Sequence, residues 1–275
     1  MTIAEPPSIA RTPGGRGEVG ATIDVVGVPP IGLIPAAGLG SRLAPLAYPK
    51  ELLPIAYTAD DGKLVPKPVL QASLDQMKRA GIEQCVIVIS DWKLELVRVL
   101  GDGAAAGIAL AYVVRAVPRG LSDALLAARA WVADRDVCIA LPDTVIEPPD
   151  ALARVRTERE ATGADLVLGV FPTDEPEQLG PVRIAADGRV TEVQDKPATT
   201  DLRNTWGVAI WSPRFTTLLE SVSAAAPADH KPVLGVVFQR AIDEGMQVRA
   251  VRFPDGAFLD LGTPAGLARA LAIRR

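Results

Sequence analysis

The chain has 275 residues, a length that allows one large domain or two small ones at roughly 150 residues per domain. Its 48% hydrophobic and 23% charged residues can build a sizeable core, and 29 basic against 33 acidic residues leave a net charge of −4, which argues against a nucleic acid or an anionic membrane as partner. One histidine, His230, and two cysteines, Cys85 and Cys138, exclude a structural zinc site and a His-rich metal centre, so any chemistry falls to carboxylates, Lys and Arg with a hard metal ion.

Residues 1 to about 29 are rich in Pro, Gly, Ala and Thr and hold no apolar block of signal-peptide or anchor length. They read as a flexible N-terminal extension and the protein as cytoplasmic, ahead of a single domain over 30–275. From Ile31 onward short apolar runs alternate with helical periodicity, predicting strands at 31–36, 84–90, 109–114, 136–141 and 164–171. Helices are predicted at 68–80, 92–100, 121–133 and 148–162, the first closed by Gly81 and the second by Gly101. Both cysteines fall inside apolar runs and read as buried core thiols, which fits a reducing compartment. Beyond residue 172 come strand-like pieces at 181–185 and 189–194 around an Asp187-Gly188 turn, then 206–211, an inserted hairpin or second lobe. Helices return at 213–224 and 231–244, a strand at 247–253, and a short helix from Pro264.

Strands this apolar, each followed by a helix, imply a mainly parallel sheet covered on both faces. Ligands of such sheets sit at the carboxyl ends of the strands. The first of these ends runs into Ala37-Gly38-Leu39-Gly40-Ser41-Arg42-Leu43, then Pro49-Lys50-Glu51-Leu52-Leu53-Pro54. Two glycines bracketing one residue let backbone N–H groups approach an anion, and Arg42 and Lys50 add positive charge. No Gly-Lys-Ser/Thr follows, so this is not a P-loop, and Leu43 stands where a dinucleotide fingerprint has its third glycine. Asp143, after the fourth strand, suits a magnesium ligand or, more plainly, a helix N-cap.

Read at full length, Leu33 to Pro45 with Pro49 to Pro54 resembles the signature of sugar-1-phosphate nucleotidyltransferases, the glucose-1-phosphate thymidylyl- and uridylyltransferases. Further segments match that family in order. Pro142-Asp143-Thr144 resembles its Gly-Asp-Asn element, Val193-Gln194-Asp195-Lys196-Pro197 its Glu-Lys-Pro element, and Phe258-Leu259-Asp260-Leu261-Gly262-Thr263-Pro264 its Trp-x-Asp-x-Gly-Thr-Pro element. The resemblance implies an α/β, Rossmann-like fold, a mixed, mainly parallel sheet flanked by helices (GT-A-like), with a smaller β-rich sugar-binding lobe at about 172–212. It also implies that an NTP and a sugar 1-phosphate give an NDP-sugar and pyrophosphate.

By the same resemblance, Ala37, Gly38, Gly40, Ser41 and Arg42 hold the nucleoside triphosphate and Lys50 neutralises the reacting phosphates. Asp143 and Asp260 are implied as ligands of Mg²⁺, while Gly180, Asp195, Lys196 and Trp206 line the sugar phosphate site. Asp195 replaces the family's glutamate and is one methylene shorter, which bears on the identity of the sugar. Arg115 falls at the family's base-reading glutamine, ahead of Gly120. A guanidinium has no acceptor, so Arg115 cannot copy the glutamine's double contact to thymine or uracil. It can serve cytosine or guanine, reach solvent or the triphosphate, or turn away and leave base reading to backbone near Gly120. dTTP or UTP with glucose 1-phosphate is favoured by the resemblance, CTP or GTP is kept open by Arg115, and homo-oligomerisation is left open. A non-catalytic sugar-nucleotide-binding regulator of the same fold is the alternative, and a dinucleotide-dependent oxidoreductase rests only on Gly38-x-Gly40.

Overall fold

The computed structural model describes residues 28–60, 63–117, 119–132, 134–227 and 232–273. The first half of the chain holds β1 (Ile31–Pro35), β2 (Pro54–Asp60), β3 (Lys63–Pro68), α1 (Val69–Arg79), β4 (Gln84–Ile89), α2 (Glu95–Leu100), β5 (Ala109–Val114), α3 (Leu121–Ala127) and α4 (Arg129–Val132). It continues through β6 (Val137–Ala140), β7 (Thr144–Glu147), α5 (Ala151–Thr162), β8 (Leu166–Pro172), β9 (Val182–Ile184), β10 (Val190–Val193) and β11 (Asn204–Trp211). The last part is α6 (Pro213–Ala225), α7 (Leu234–Asp243), β12 (Val248–Arg252), β13 (Ala257–Asp260) and α8 (Pro264–Ile273).

Seven strands form the central sheet in the order β12-β8-β11-β6-β1-β4-β5. Every neighbouring pair is parallel except those of β11, which runs antiparallel to both β6 and β8, so the sheet is mixed and mainly parallel. Alternating side chains of the same strand enter opposite cores, as the pleat requires. Leu33, Val86 and Val88 pack on one face with Leu125, Phe215 and Phe238 of α3, α6 and α7. Ile34, Cys85 and Ile87 pack on the other with Leu74, Met77 and Val155 of α1 and α5. Both cysteines are buried and unpaired, as their apolar settings predict.

Three features differ from the sequence-based expectations. The helix expected over 121–133 breaks at Ala128 into α3 and α4, and the one expected from residue 92 starts as a single 3-10 turn, Asp91–Lys93. The lobe expected to reach about residue 212 stops earlier, because β11 is long enough to pair along the whole of β8 and so belongs to the central sheet. What stands outside that sheet is the β9–β10 hairpin, turned at Gly188. Two pairings escaped prediction, β2 with β3 and β7 with β13. An Asp61-Gly62 hairpin signal marks the first pair in the sequence. The second joins two four-residue strands from distant segments, too short to show a period. Most of the expected N-terminal extension, and His230, lie outside the described residues. No helix among those described is long and apolar enough to cross a membrane.

Candidate active site

From β1 the chain moves to β4 and β5 on one side, then returns to β6 on the other, so the carboxyl ends of β1 and β6 diverge at a topological switch point. A cavity of about 570 Å³ opens there. It is lined by Gly38, Ser41 and Arg42 from the loop after β1, by Lys50 and Glu51, by Asp143 after β6, by Asp195, Lys196 and Trp206, and by Asp260 at the end of β13.

Gly40, at φ 69°, takes the left-handed turn that starts the 3-10 turn Ser41–Leu43 and turns Ser41 and Arg42 toward the opening. Lys50 forms an ion pair with Asp143, both side chains nearly buried. The antiparallel register of β13 on β7 sets Asp260 opposite Thr144, and Leu261 N–H donates to the Asp143 carbonyl at 2.8 Å. That pairing brings together two carboxylates more than a hundred residues apart in the chain. Arg42 Nη1 lies 3.5 Å from Asp260 Oδ2, and Gly262 N–H donates to Asp260 Oδ1 at 2.7 Å.

Gly262 marks the focus of this group. A Cβ there would meet Asp143 Oδ2 at 2.6 Å, Asp260 Oδ1 at 2.8 Å and Arg42 Nη2 at 3.0 Å, so three charged side chains converge on a point that only glycine leaves open. Burial, and after it the neighbouring Asp143 carboxylate, push the Asp260 carboxyl above its ordinary range against the pull of Gly262 N–H, Arg42 and Lys50. Two oxygens facing one open point are donors for a hard divalent cation. Among the described residues no third His, Cys, Asp or Glu completes a protein cage. Magnesium fits such a donor set, since it is commonly bound by one or two carboxylates with substrate phosphate and water filling its octahedron.

The opposite wall is built by the hairpin and β11. Trp206 N–H donates to the Gly180 carbonyl at 3.2 Å, and Gly180 N–H donates to Thr205 Oγ1 at 3.3 Å. The Trp206 ring meets Phe238 edge to face, with centroids 5.2 Å apart, which fixes the indole against the cavity. Lys196 is the one non-glycine residue with positive φ among those described, at 45°, and its N–H donates to the Leu179 carbonyl at 2.8 Å. Backbone of this kind is unfavourable for a side-chain-bearing residue and is held here by its surroundings. Burial raises the Asp195 carboxyl, opposed by the Lys196 ammonium. Val233, Leu234 and Gly235 at the start of α7 complete this end without a polar side chain.

On the remaining side Gly120, Leu121 and Ala124 line the cavity, but Arg115 does not. Arg115 Nε and Nη2 each donate at 2.8 Å to the two oxygens of Asp123, a bidentate fork, and Arg119 adds its N–H at 3.2 Å and Nη2 at 3.0 Å. In the fold the Arg115 guanidinium is engaged by Asp123 outside the cavity lining. Burial alone would raise the Asp123 carboxyl, yet the Arg115 fork and the Arg119 contacts together outweigh it and hold the group below its usual range. Ala37 is fully buried behind the loop, and Gly40 shapes the turn, so neither lines the cavity.

Sequence reasoning did not single out Glu51 and Lys93. Both side chains are completely buried, Lys93 Nζ donating to Glu51 Oε1 at 2.7 Å and to the Ala36 carbonyl at 2.8 Å. This pair underpins the loop after β1 and abuts Lys50 in sequence. Lys93, four residues past the end of an apolar strand, reads equally well as part of a solvated turn.

A family model described as Nucleotidyl transferase matches residues 31–273. The glucose-1-phosphate thymidylyltransferase of Streptomyces griseus is 31% identical over 227 residues, covering 79% of this chain and 59% of the relative. A protein of the same name from Streptomyces antibioticus is 28% identical over 241 residues, covering 86% and 63%. The chain thus spans about three fifths of the length of these curated relatives. A solved UDP-glucose pyrophosphorylase complexed with UDP-glucose superimposes with a TM-score of 0.74 at 20% identity, over 90% of this chain and 98% of that one, a likeness of fold.

Proposed function

The chain belongs to the nucleotidyl transferase family, and from that premise we propose that it condenses a nucleoside triphosphate with a sugar 1-phosphate to give an NDP-sugar and pyrophosphate. The observation that carries this reading is the convergence of Arg42, Asp143 and Asp260 on the open point at Gly262, in the same cavity as Lys196 and Asp195. A phosphoryl-binding end and a polyol-binding end face each other across one cavity.

In the reaction a phosphate oxygen of the sugar 1-phosphate attacks the α-phosphorus in line. The new P–O bond joins sugar phosphate to nucleotide, the bond from the α-phosphorus to the α,β-bridging oxygen breaks, and pyrophosphate leaves with that electron pair. No protein nucleophile is needed, so the side chains position and neutralise. Arg42 and Lys50 offset charge on the triphosphate, Lys196 holds the sugar phosphate against electrostatic repulsion, and Asp195 accepts from sugar hydroxyls. Asp143 and Asp260 would hold Mg²⁺, which when bound supplies charge neutralisation at the reacting phosphates. dTTP with glucose 1-phosphate is the substrate pair that the curated relatives' name supports, with UTP as the other pair favoured by the resemblance, and Arg115, the residue that keeps CTP or GTP open, is engaged by Asp123.

The test is pyrophosphate release across dTTP, UTP, CTP, GTP and ATP against several sugar 1-phosphates, in parent and Asp143→Asn protein. Turnover of at least one pair is expected, reduced at least about 10²-fold in the variant while the fold is kept. Full activity in a folded Asp143→Asn protein would refute the assignment.

A further inference from the structure

We propose that Asp123 is a positioning residue that sets base selectivity, by drawing the guanidinium groups of Arg115 and Arg119 away from the wall against which the base lies. The inference rests on the proposed reaction and adds to it which group governs the choice of nucleotide.

Asp123 and Ala124 are consecutive residues in the first turn of α3, yet only Ala124 lines the cavity. The Asp123 carboxylate is 7% exposed and receives four hydrogen bonds from two arginines, using both oxygens. Arg115 leaves the end of β5 with its N–H fixed on the Ile89 carbonyl at 2.7 Å, so its side chain starts from a rigid point beside the cavity. Arg115 and Arg119 thus meet Asp123 while Gly120 lines the cavity.

The consequence is chemical. A guanidinium only donates, whereas backbone both donates through N–H and accepts through C=O. Thymine and uracil present an N3–H beside carbonyl oxygens, an edge that backbone can match and a guanidinium cannot. Guanine O6 and N7, and the acceptors of cytosine, are what a free arginine recognises well. With both arginines held by Asp123, the wall at Gly120, Leu121 and Ala124 offers backbone and apolar surface to the base. Without the carboxylate, the Arg115 guanidinium loses both of its fork contacts and can swing to that wall.

The experiment compares parent, Asp123→Ala and the triple variant Asp123→Ala/Arg115→Ala/Arg119→Ala. Two quantities are read for dTTP, UTP, CTP and GTP: kcat/KM with glucose 1-phosphate by pyrophosphate release, and Kd by calorimetry. In Asp123→Ala the preference for dTTP and UTP over CTP and GTP should fall about tenfold or more, the discrimination a guanidinium fork carries. The triple variant should return to within about threefold of the parent ratio. An equal loss for all four nucleotides, with the ratio unchanged, would make Asp123 a mere strut and overturn the proposal. Should Asp123→Ala fail to unfold cooperatively, Arg115→Ala/Arg119→Ala decides: the parent ratio is expected within about threefold, and a larger shift shows that the arginines already touch the base. A parent that binds nucleotides but turns over no pair refutes the proposed reaction while the Kd ratios still decide this inference. A parent that binds none refutes both.

Discussion

Lys93→Met is the substitution for which the structure supplies the clearest magnitude. The ammonium is completely buried and holds two partners, Glu51 Oε1 and the Ala36 carbonyl, while Glu51 Oε2 is buried with no hydrogen-bond partner among the described residues. Burial pushes the Glu51 carboxyl up and the Lys93 ammonium down, each opposed by the attraction of the other. Methionine matches the aliphatic stem, so little volume is lost. What remains is a carboxylate stripped of its counter-charge, and breaking a buried pair from one side costs about 3–5 kcal/mol. At roughly 2–4 °C per kcal/mol for a chain of this size, the melting temperature should drop by about 6–20 °C. Adding Glu51→Leu removes the orphaned charge, leaving chiefly the Ala36 carbonyl without its donor, about 1–3 kcal/mol. The double variant should therefore melt above the single one, although more of the core has been altered. Thermal unfolding of parent, both single variants and the double variant, followed by circular dichroism, reads this directly. A Lys93→Met protein that melts within about 2 °C of the parent, or a double variant that melts below the Lys93→Met single variant, would refute the reasoning, since two independent contributions simply add.

Three further outcomes are expected. Gly262→Ala places a methyl at 2.6 Å from Asp143 Oδ2 and 2.8 Å from Asp260 Oδ1, and should lower pyrophosphate release about 10²-fold with an unchanged circular dichroism spectrum, since such displacements misalign the reacting groups. Because the Asp123 carboxyl lies below its unfolded value of 3.8, the stability it contributes is full above that value and is lost as pH falls through the lower, folded one. The gap in melting temperature between parent and Asp123→Asn should accordingly be widest near neutral pH and close below about pH 4; a gap independent of pH would contradict the charge pairing with Arg115 and Arg119. Burial raises both cysteine thiols far above their usual range, so the 2 thiols should be silent to a disulfide reagent in the folded protein and both react in denaturant.

Much of this architecture was readable in one dimension because it depends on local period and on residues that no other type can replace. The apolar runs of β1, β4 and β6 declare a sheet covered on both sides, and Gly38-x-Gly40 ahead of Arg42 and Lys50 declares an anion-holding loop at its edge. Asp143 and Asp260 each end an apolar run, but it is the resemblance of their segments to family elements that marks them as metal ligands in the sequence. Arg115, at the position where the resemblance implies a glutamine, was readable as an anomaly, though not as a solution: its donor set conflicts with reading thymine or uracil, but nothing in the string shows that Asp123 lies within reach of the fork.

Tertiary structure decided the rest, because these relations have no signature along the chain. Two four-residue strands, β7 and β13, are too short to announce themselves, yet their register alone places Asp260 beside Asp143 and makes Gly262 the point where charges meet. Glu51 and Lys93 look like ordinary polar residues until the fold seals both from water, where an unpaired charge is costly and pairing becomes obligatory. Composition and local pattern determined the class of scaffold and the kind of chemistry it can host. Long-range pairing and burial determined which carboxylate faces which cation, since those energies depend on separation and dielectric, and the chain acquires both only when it folds.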